Sequence, residues 1–325
     1  MLRDKISDWL LRTINRVAAP PGEEGQPLRA EEFKNPLPGV PTVESPFFEE
    51  IMATSPFPPD IRSIAEALNR DGYAVFRFPD DALEDRADRI RKSLHDRYDW
   101  NGWHAKGVDM RVQDAWQYDA DVAAIARNEA VRHLLGLLYG RRAWPFQTLN
   151  FPVGTQQHYH TDTVHFSSVP ERFMCGVWVA LEDIHPDSGP LCYYPGSHAW
   201  PIYTNDQIGH LDHDNLIWTS QHRYHDLWEK MVELKKPKKE TFLARRGDAL
   251  IWAANLLHGG EPQRDRARTR LSQVTHYFFD DCVYYTPMQS APFLGKMLIR
   301  EPLDISTGKR MVGGYGGLTV KRLKE

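Results

Sequence analysis

The residues after about 145 limit the fold more than any other part of the sequence. They form a succession of short apolar runs separated by Gly, Pro and Asp turns: FQTLNF (146–151), MCGVWVAL (174–181), PLCYYPG (190–196), ALIWAANLL (249–257) and RLSQVTHYFF (270–279). Short runs rich in β-branched and aromatic residues are typical of strands. Together they predict an antiparallel barrel or jelly roll with helices gathered at its front, which is a mainly β fold with flanking helices.

The first 145 residues predict those helices. The stretch DIRSIAEALNRD predicts a helix, which is followed by a turn at Asp71-Gly72 and the strand YAVFRF, with further helices at 82–97 and 121–138. We expect residues 1–60 to form an amphipathic helix and a proline-rich, wrapping arm. The helix should dock on its own domain or on a second copy of the chain, so a homodimer is one expected assembly. An anionic membrane surface is the less favoured partner.

We expect the core domain to run from 61 to 290, with a C-terminal tail at 291–325 packing on it. An insertion at about 199–245 follows PGSH and contains four histidines (His210, His213, His222 and His225). Its HLDHD stretch resembles a metal site superficially. Loops of this length tend to be lids or binding loops, so an exposed, mobile insertion is the preferred interpretation.

Charge and cysteine content exclude several classes of protein. A net charge of −4 argues against non-specific nucleic-acid binding, which needs a basic excess. The 3 cysteines are an odd number without metal-site spacing, which favours a reducing, cytoplasmic location over a disulfide framework. We expect no signal peptide and no membrane span, because no apolar run approaches the ~18 residues that are needed.

The stretch QQHYHTDTVHF (156–166) concentrates candidate metal ligands. Residues two apart on a strand share a face, so His158 with His160, or His160 with Asp162, would each present two ligands to one point. The stretch alone does not decide between these pairs. Farther along, an apolar strand after Gly247-Asp248 leads to His258, just where the strand ends in Gly259-Gly260.

His160, Asp162 and His258 together would form a face of two histidines and one carboxylate. That arrangement is diagnostic of non-haem Fe(II) oxygenases, because it leaves coordination positions open. Arg270 follows in the strand RTRLSQVTHYFF. A buried, inward-facing guanidinium needs an anionic partner, and a dicarboxylate cosubstrate would supply one in bidentate geometry.

These residues carry a family resemblance. HTD at 160–162, VWVALEDIHPDSGPLCYYPGSHAW at 177–200, GDALIW with His258, and RLSQVTHYF from Arg270 resemble the phytanoyl-CoA dioxygenase family of Fe(II)/2-oxoglutarate-dependent oxygenases. The resemblance extends from about Tyr73 to about Tyr285. It implies a double-stranded β-helix, with iron held by the HxD and the distal histidine and with 2-oxoglutarate bound by the arginine.

Three more positions match cosubstrate contacts implied by the resemblance. Trp178 matches an aromatic residue beside 2-oxoglutarate, Arg111 in RVQD matches a cationic contact, and Gln147 in FQTLNF is expected to face the same pocket. The alternative interpretations are that Trp178 is a core residue, that Arg111 lies on the surface and that Gln147 flanks the hydrogen-bond ladder of the sheet. We expect His165, on the loop after the motif, to line the substrate pocket.

The implied reaction consumes 2-oxoglutarate and O2, releases succinate and CO2, and hydroxylates an unactivated C–H bond of a small-molecule or CoA- or carrier-linked substrate, with ascorbate as the reductant in vitro. Related halogenases have a small residue where Asp162 stands, so the carboxylate favours hydroxylation. Desaturation, cyclisation and epimerisation start from the same hydrogen abstraction and stay open.

The alternatives from other classes are a catalytically silent binding protein and a cupin-type enzyme using His158 and His160. The cupin type lacks its expected glutamate, because Val164 stands there.

Overall fold

The computed structural model of the protein describes residues 35–107, 110–210 and 216–320. The predicted N-terminal helix, the first part of the arm, His213 and the end of the tail lie outside these residues. The helices are α1 (Phe48–Thr54), α2 (Pro59–Asp71), α3 (Leu83–Leu94), α4 (Trp100–Lys106), α5 (Ala120–Ala126), α6 (Glu129–Tyr139) and α7 (Leu216–Lys235). The strands are β1 (Tyr73–Arg77), β2 (Val112–Gln113), β3 (Ala143–Phe151), β4 (Ser167–Val169), β5 (Met174–Ala180), β6 (Leu191–Tyr193), β7 (Glu240–Phe242), β8 (Asp248–Ala253), β9 (His258–Gly260), β10 (Ser272–Phe279), β11 (Val283–Tyr285), β12 (Leu303–Asp304), β13 (Lys309–Arg310), β14 (Gly314–Tyr315) and β15 (Leu318–Thr319).

The strands form two main antiparallel sheets. One has six strands in the order β1-β8-β5-β10-β3-β2, and the other has three in the order β7-β6-β9. Trp178 and Leu250 from the first sheet pack with Leu191 and Tyr193 from the second in one apolar cluster. The double-stranded β-helix of jelly-roll type is thereby confirmed, and the alternative of a closed barrel is wrong, because the six-stranded sheet ends in β1 and β2.

The opposite face of the six-stranded sheet carries the flanking helices. Side chains alternate between the two faces of a strand, so Val177 and Ile251 point away from Trp178 and join the larger core with Leu68 of α2 and Leu135 of α6. Every residue of β5 is buried. Both faces of β5 are therefore covered, which explains why its sequence is wholly apolar.

The helical region predicted at 121–138 consists of two helices. α5 ends at Ala126, and the Asn128 side chain accepts a hydrogen bond from the backbone N–H of Val131 at 3.0 Å. Such an N-cap satisfies a donor that the first turn of a helix leaves free. Asn128 therefore starts a new helix where the apolar spacing alone predicted one continuous stretch.

The insertion at 199–245 is not exposed along its length, which corrects that expectation. It contains α7, where Tyr224, Trp228 and Met231 are only 1%, 5% and 8% exposed. These residues recur at helical spacing and form one apolar stripe. The stripe packs against a cluster that includes Val164 and Leu257, so α7 covers the turn that follows His160. The mobility of the insertion stays a prediction.

The segment after residue 291 lies against the main sheet. Ile305 is fully buried, and its backbone N–H donates to the carbonyl of Pro145 in β3 at 2.8 Å. Among the described residues, no helix is long and apolar enough to cross a membrane.

Candidate active site

A short antiparallel bridge brings two histidines together. The backbone N–H of His160 donates to the carbonyl of His258 at 2.8 Å, and the N–H of His258 donates to the carbonyl of His160 at 3.0 Å. The close approach requires Gly259, since a Cβ there would lie 2.9 Å from the carbonyl oxygen of Gln157 and from the Cα of Tyr159. His258 begins β9, whereas the sequence placed it at the end of the preceding apolar strand. That strand, β8, ends at Ala253.

Asp162 reaches the same point through a turn. The expectation that His160 and Asp162 share a face by strand alternation is wrong, because Asp162 begins a 3-10 helix that ends at Val164. Its Oδ1 lies 3.8 Å from Nε2 of His160 and 3.9 Å from Nε2 of His258. Two donors at about 2 Å from a shared cation span such a separation. One donor atom from each residue falls within 4.8 Å of the others.

Backbone hydrogen bonds fix the tautomers of both histidines. Nδ1 of His160 lies 3.0 Å from the carbonyl oxygen of His158, and Nδ1 of His258 lies 3.0 Å from that of Leu256. Because a carbonyl oxygen only accepts, each Nδ1 carries the proton and each Nε2 presents a lone pair towards Asp162. This donor set fits a divalent metal ion.

The second oxygen of the carboxylate has its own partner. The indole N–H of Trp252 donates to Oδ2 of Asp162 at 2.7 Å. Trp252 pairs with Gly176 on the neighbouring strand, where a Cβ would lie 2.2 Å from the indole ring. Gly176 thus makes room for the indole, and the indole leaves Oδ1 to face the histidines.

Burial and neighbouring charges set the protonation states. Burial, together with the nearby His258, lowers the pKa of His160 to about 3. Burial raises the pKa of Asp162, but the surrounding imidazoles and the indole hydrogen bond outweigh it and lower that pKa to about 2. At neutral pH His160 is therefore neutral and Asp162 ionised, which are the forms that bind metal.

The three residues lie in a cavity of about 470 Å³ that Arg270 also lines. Arg270 is 3% exposed, and its Nη1 donates to Oγ of Ser272 at 2.8 Å. Its guanidinium carbon lies 5.6 Å from the ring centre of Phe151 and 5.9 Å from that of Trp178. β10 begins two residues later, so Arg270 stands just before the strand that was expected to contain it.

The three further positions from the sequence analysis also line this cavity: Arg111, Gln147 and Trp178. Trp178 is 1% exposed and belongs to the apolar cluster between the sheets as well. Gln147 is half-buried, and its Oε1 lies 2.9 Å from Nδ1 of His276. Nε2 of His276 lies 3.6 Å from Oδ2 of Asp162.

Sequence reasoning assigned no role to Trp252, His276 or Arg300, which all line the cavity. For His276 a signal was present, because it lies at an even spacing from Arg270 in the same run. The hydrogen bond of Trp252 depends on cross-strand register, and the position of Arg300 depends on a distant pairing. Neither leaves a local signal in the sequence.

The side chain of His158 points away from His160 and His258. Its Nε2 lies 2.9 Å from Oε1 of Glu229, and its ring stacks on His225 of α7 with centres 4.4 Å apart. His165 lines the cavity as expected. Burial, and to a smaller degree the nearby guanidinium groups of Arg111 and Arg300, lower the pKa of His165. Within the described ranges, no other group of His, Cys, Asp and Glu side chains is arranged to hold a metal.

The chain matches one family of sequences. The profile described as Phytanoyl-CoA dioxygenase (PhyH) matches residues 67–270, which is more than half of the chain. Among curated protein sequences, none matches this chain.

Three of the solved structures with a similar fold illustrate the match. The epimerase SnoN, in complex with Fe3+, alpha ketoglutarate and nogalamycin RO, is 22% identical with a TM-score of 0.54, and the match covers 80% of this chain and 96% of that chain. The non-heme alpha ketoglutarate dependent carbocyclase SnoK from nogalamycin biosynthesis is 16% identical with a TM-score of 0.54, covering 79% and 95%. EctD from S. alaskensis in its apoform is 16% identical with a TM-score of 0.51, covering 80% and 89%. Identities this low show a shared fold.

Proposed function

The chain belongs to the phytanoyl-CoA dioxygenase family and is a non-haem iron enzyme that uses 2-oxoglutarate, and from that premise we propose that it hydroxylates an unactivated C–H bond of a small-molecule or carrier-linked substrate. One oxygen atom of O2 enters the substrate, and the other enters the succinate that forms as 2-oxoglutarate loses CO2. The observation that most supports this proposal is the convergence of donor atoms from His160, Asp162 and His258 within 4.8 Å in a cavity that Arg270 also lines.

In this proposal His160, Asp162 and His258 hold the iron. When bound, the iron supplies O2 activation and hydrogen-atom abstraction from the substrate. The protein holds the ligands in place: backbone carbonyls orient both imidazoles, and Trp252 restrains Asp162. Three protein ligands leave positions for the cosubstrate and O2.

Arg270 binds a carboxylate of 2-oxoglutarate in this scheme. Its planar guanidinium suits bidentate binding of a carboxylate. Ser272 and the aromatic rings of Phe151 and Trp178 fix its position. Because these groups are buried, water is kept away from the bound cosubstrate and the ionic contact is strengthened. We assign Arg111, Gln147 and Trp178 as further cosubstrate contacts.

The second candidate outcome is epimerisation or ring closure. All these reactions start from hydrogen-atom abstraction, and two proteins of similar fold are called an epimerase and a carbocyclase. Asp162 favours hydroxylation over halogenation, because its carboxylate occupies the position that a halide would take. Product mass separates the outcomes: hydroxylation adds one oxygen atom, ring closure and desaturation remove two hydrogen atoms, and epimerisation leaves the mass unchanged.

We further propose a reducing, cytoplasmic location and a homodimer. All three cysteines are free and buried, which suits a compartment where disulfides do not persist. The dimer proposal rests on the amphipathic pattern of the first residues and the proline-rich arm. Light scattering on the full chain, compared with a chain lacking residues 1–34, tests it. A monomer mass for the full chain would contradict the homodimer, and a dimer of both chains would contradict the role of the first residues.

Succinate formation tests the proposed function. Protein purified without oxygen is mixed with Fe(II), 2-oxoglutarate and ascorbate, and succinate is followed after O2 is admitted. We expect slow turnover without substrate, lost in His160→Ala and Asp162→Ala and retained in the neighbouring control His158→Ala.

Arg270→Lys should raise the Kd of 2-oxoglutarate at least tenfold, because lysine lacks the bidentate fork. Loss of metal binding in His158→Ala but not in Asp162→Ala would favour the cupin-type alternative.

A further inference from the structure

A third arginine reaches the active-site cavity, and it comes from outside the region that matches the family. Arg300 lies beyond residues 67–270, yet its side chain lines the same cavity as the histidines. Its backbone N–H donates to the carbonyl of Tyr284 at 2.8 Å, and the preceding Ile299 pairs with Tyr285. β11, which contains both tyrosines, pairs in turn with β4, so the position of Arg300 is set by continuous strand pairing.

The surroundings of Arg300 lack a carboxylate. The guanidinium carbon lies 4.9 Å from the ring centre of Phe166, and Nη1 donates to Oγ1 of Thr286 at 3.0 Å. In the ranges that the structure describes, no Asp or Glu comes within ion-pair distance of it. Burial lowers the pKa of Arg300, but a guanidinium remains charged at neutral pH. A ring and one hydroxyl leave most of its five N–H donors for another acceptor.

The charges of the proposed complex make Arg300 an additional cation. The cavity lining contains one carboxylate, that of Asp162. A divalent iron, this carboxylate, the 2-oxoglutarate dianion and the guanidinium of Arg270 sum to zero, before the other two arginines of the lining, Arg111 and Arg300, are counted. Arg300 then adds a positive charge to a partly desolvated cavity. An uncompensated charge in a desolvated cavity raises the free energy of the protein, so binding of a ligand of opposite charge becomes more favourable.

Arg270 and Arg300 line different parts of the cavity. Arg270 lies beside Phe151 and Trp178, whereas Arg300 lies over Phe166, whose ring centre is 5.3 Å from that of His276. The two guanidinium groups therefore have different aromatic neighbours.

We propose that Arg300, assisted by Thr286, binds an anionic group of the substrate, a carboxylate or a phosphate, and so restricts the enzyme to anionic substrates. This inference rests on the proposed function, in which Arg270 and iron bind 2-oxoglutarate. Arginine suits planar or tetrahedral oxyanions because its N–H donors match two oxygens at once.

Equilibrium binding to the anaerobic protein loaded with Fe(II) and 2-oxoglutarate tests the proposal. The probes are benzoate, phenyl phosphate and the neutral benzamide, followed by tryptophan fluorescence, since Trp252 and Trp178 line the cavity. We expect at least one anion to bind about tenfold more tightly than benzamide, as one charge-assisted hydrogen bond would give. Arg300→Met should abolish that difference and leave benzamide binding unchanged, and Arg300→Lys should retain part of it.

Controls separate this inference from the proposed function. Arg132→Met changes a half-buried arginine on α6, outside the cavity, and should change neither probe binding nor 2-oxoglutarate binding. The ratio of benzoate to phenyl phosphate affinity distinguishes a carboxylate from a phosphate ligand. Equal binding of all three probes to the wild type, or an equal loss of 2-oxoglutarate and probe binding in Arg300→Met, would overturn the proposal for Arg300 alone. Failure of the wild type to bind 2-oxoglutarate with Fe(II) would overturn the proposed function and this inference with it.

Discussion

A single hydrogen bond decides which oxygen of Asp162 faces the two histidines. The indole of Trp252 holds Oδ2 at 2.7 Å, and Oδ1 is then the oxygen closest to both imidazoles. The ring of Trp252 also lies against His258, with centres 4.8 Å apart. One residue of β8 thus positions two of the three proposed ligands, although it binds no metal itself.

We predict that Trp252→Phe lowers the affinity for Fe(II) by about 10-fold to 100-fold, as is usual when a group that supports a metal ligand is removed. Phenylalanine keeps most of the aromatic packing but cannot donate to Asp162. Titration of the protein with Fe(II) under argon measures the effect. Trp144→Phe is the matched control, since Trp144 is also fully buried but does not line the cavity. Equal losses in both variants would mean that packing, not the hydrogen bond, controls metal affinity.

At the scale of elements, the site depends on how closely β9 approaches the segment before Asp162. The bridge between His160 and His258 joins residues that are far apart in sequence, and it is short because Gly259 has no side chain. α7 then packs its apolar stripe over the following turn. The two proposed histidine ligands therefore depend on one backbone contact that is covered by a helix from the insertion.

Gly259→Ala should separate the two backbones and weaken both the fold and the site. The new Cβ would meet backbone atoms of Gln157 and Tyr159 at 2.9 Å, and backbone cannot move aside as a flexible side chain does. We expect a loss of about 1–3 kcal/mol in the free energy of unfolding, typical of overpacking, together with weaker Fe(II) binding. Urea denaturation and Fe(II) titration measure the two effects.

The control for this variant is Gly136→Ala in α6. There the nearest atom to a new Cβ is the carbonyl oxygen of Arg141 at 3.4 Å. Alanine favours a helix over glycine by about 0.5–1 kcal/mol, so this variant should be neutral or more stable and should bind Fe(II) normally. A Gly259→Ala protein as stable as the wild type would contradict the role of the close approach.

Over the whole molecule, the parts that the sequence predicts well are those with local signals. The run MCGVWVAL matches β5 within one residue, and RLSQVTHYFF contains β10 from Ser272 to its end. Short apolar runs between turn residues are sufficient for that purpose. The candidate ligands stay a prediction: spacing alone left His158/His160 and His160/Asp162 open, and His258 together with the family resemblance favoured the second pair.

The features that sequence did not predict depend on contacts between distant residues. The separate start of α6 depends on a capping side chain, and the buried stripe of α7 is interrupted by histidines and charged residues that conceal it. Trp252 meets Asp162 only because β8 pairs with β5 in one register. Arg300 reaches the cavity only because Ile299 pairs with Tyr285. Periodicity carries no information about such pairings, whereas a three-dimensional structure defines them.

Binding of metal and cosubstrate should stabilise the whole molecule, because the proposed ligands come from segments that only the folded chain brings together. A ligand at 100 times its Kd adds about 2.7 kcal/mol to the free energy of unfolding. We therefore expect Fe(II) with 2-oxoglutarate to raise the Tm by several degrees under argon, and an excess of EDTA to reverse the shift. Since 2-oxoglutarate is proposed to bind through the metal and Arg270 together, it should have little effect when added alone. His160→Ala should show no shift with Fe(II). A shift in that variant as large as in the wild type would show that the metal binds elsewhere.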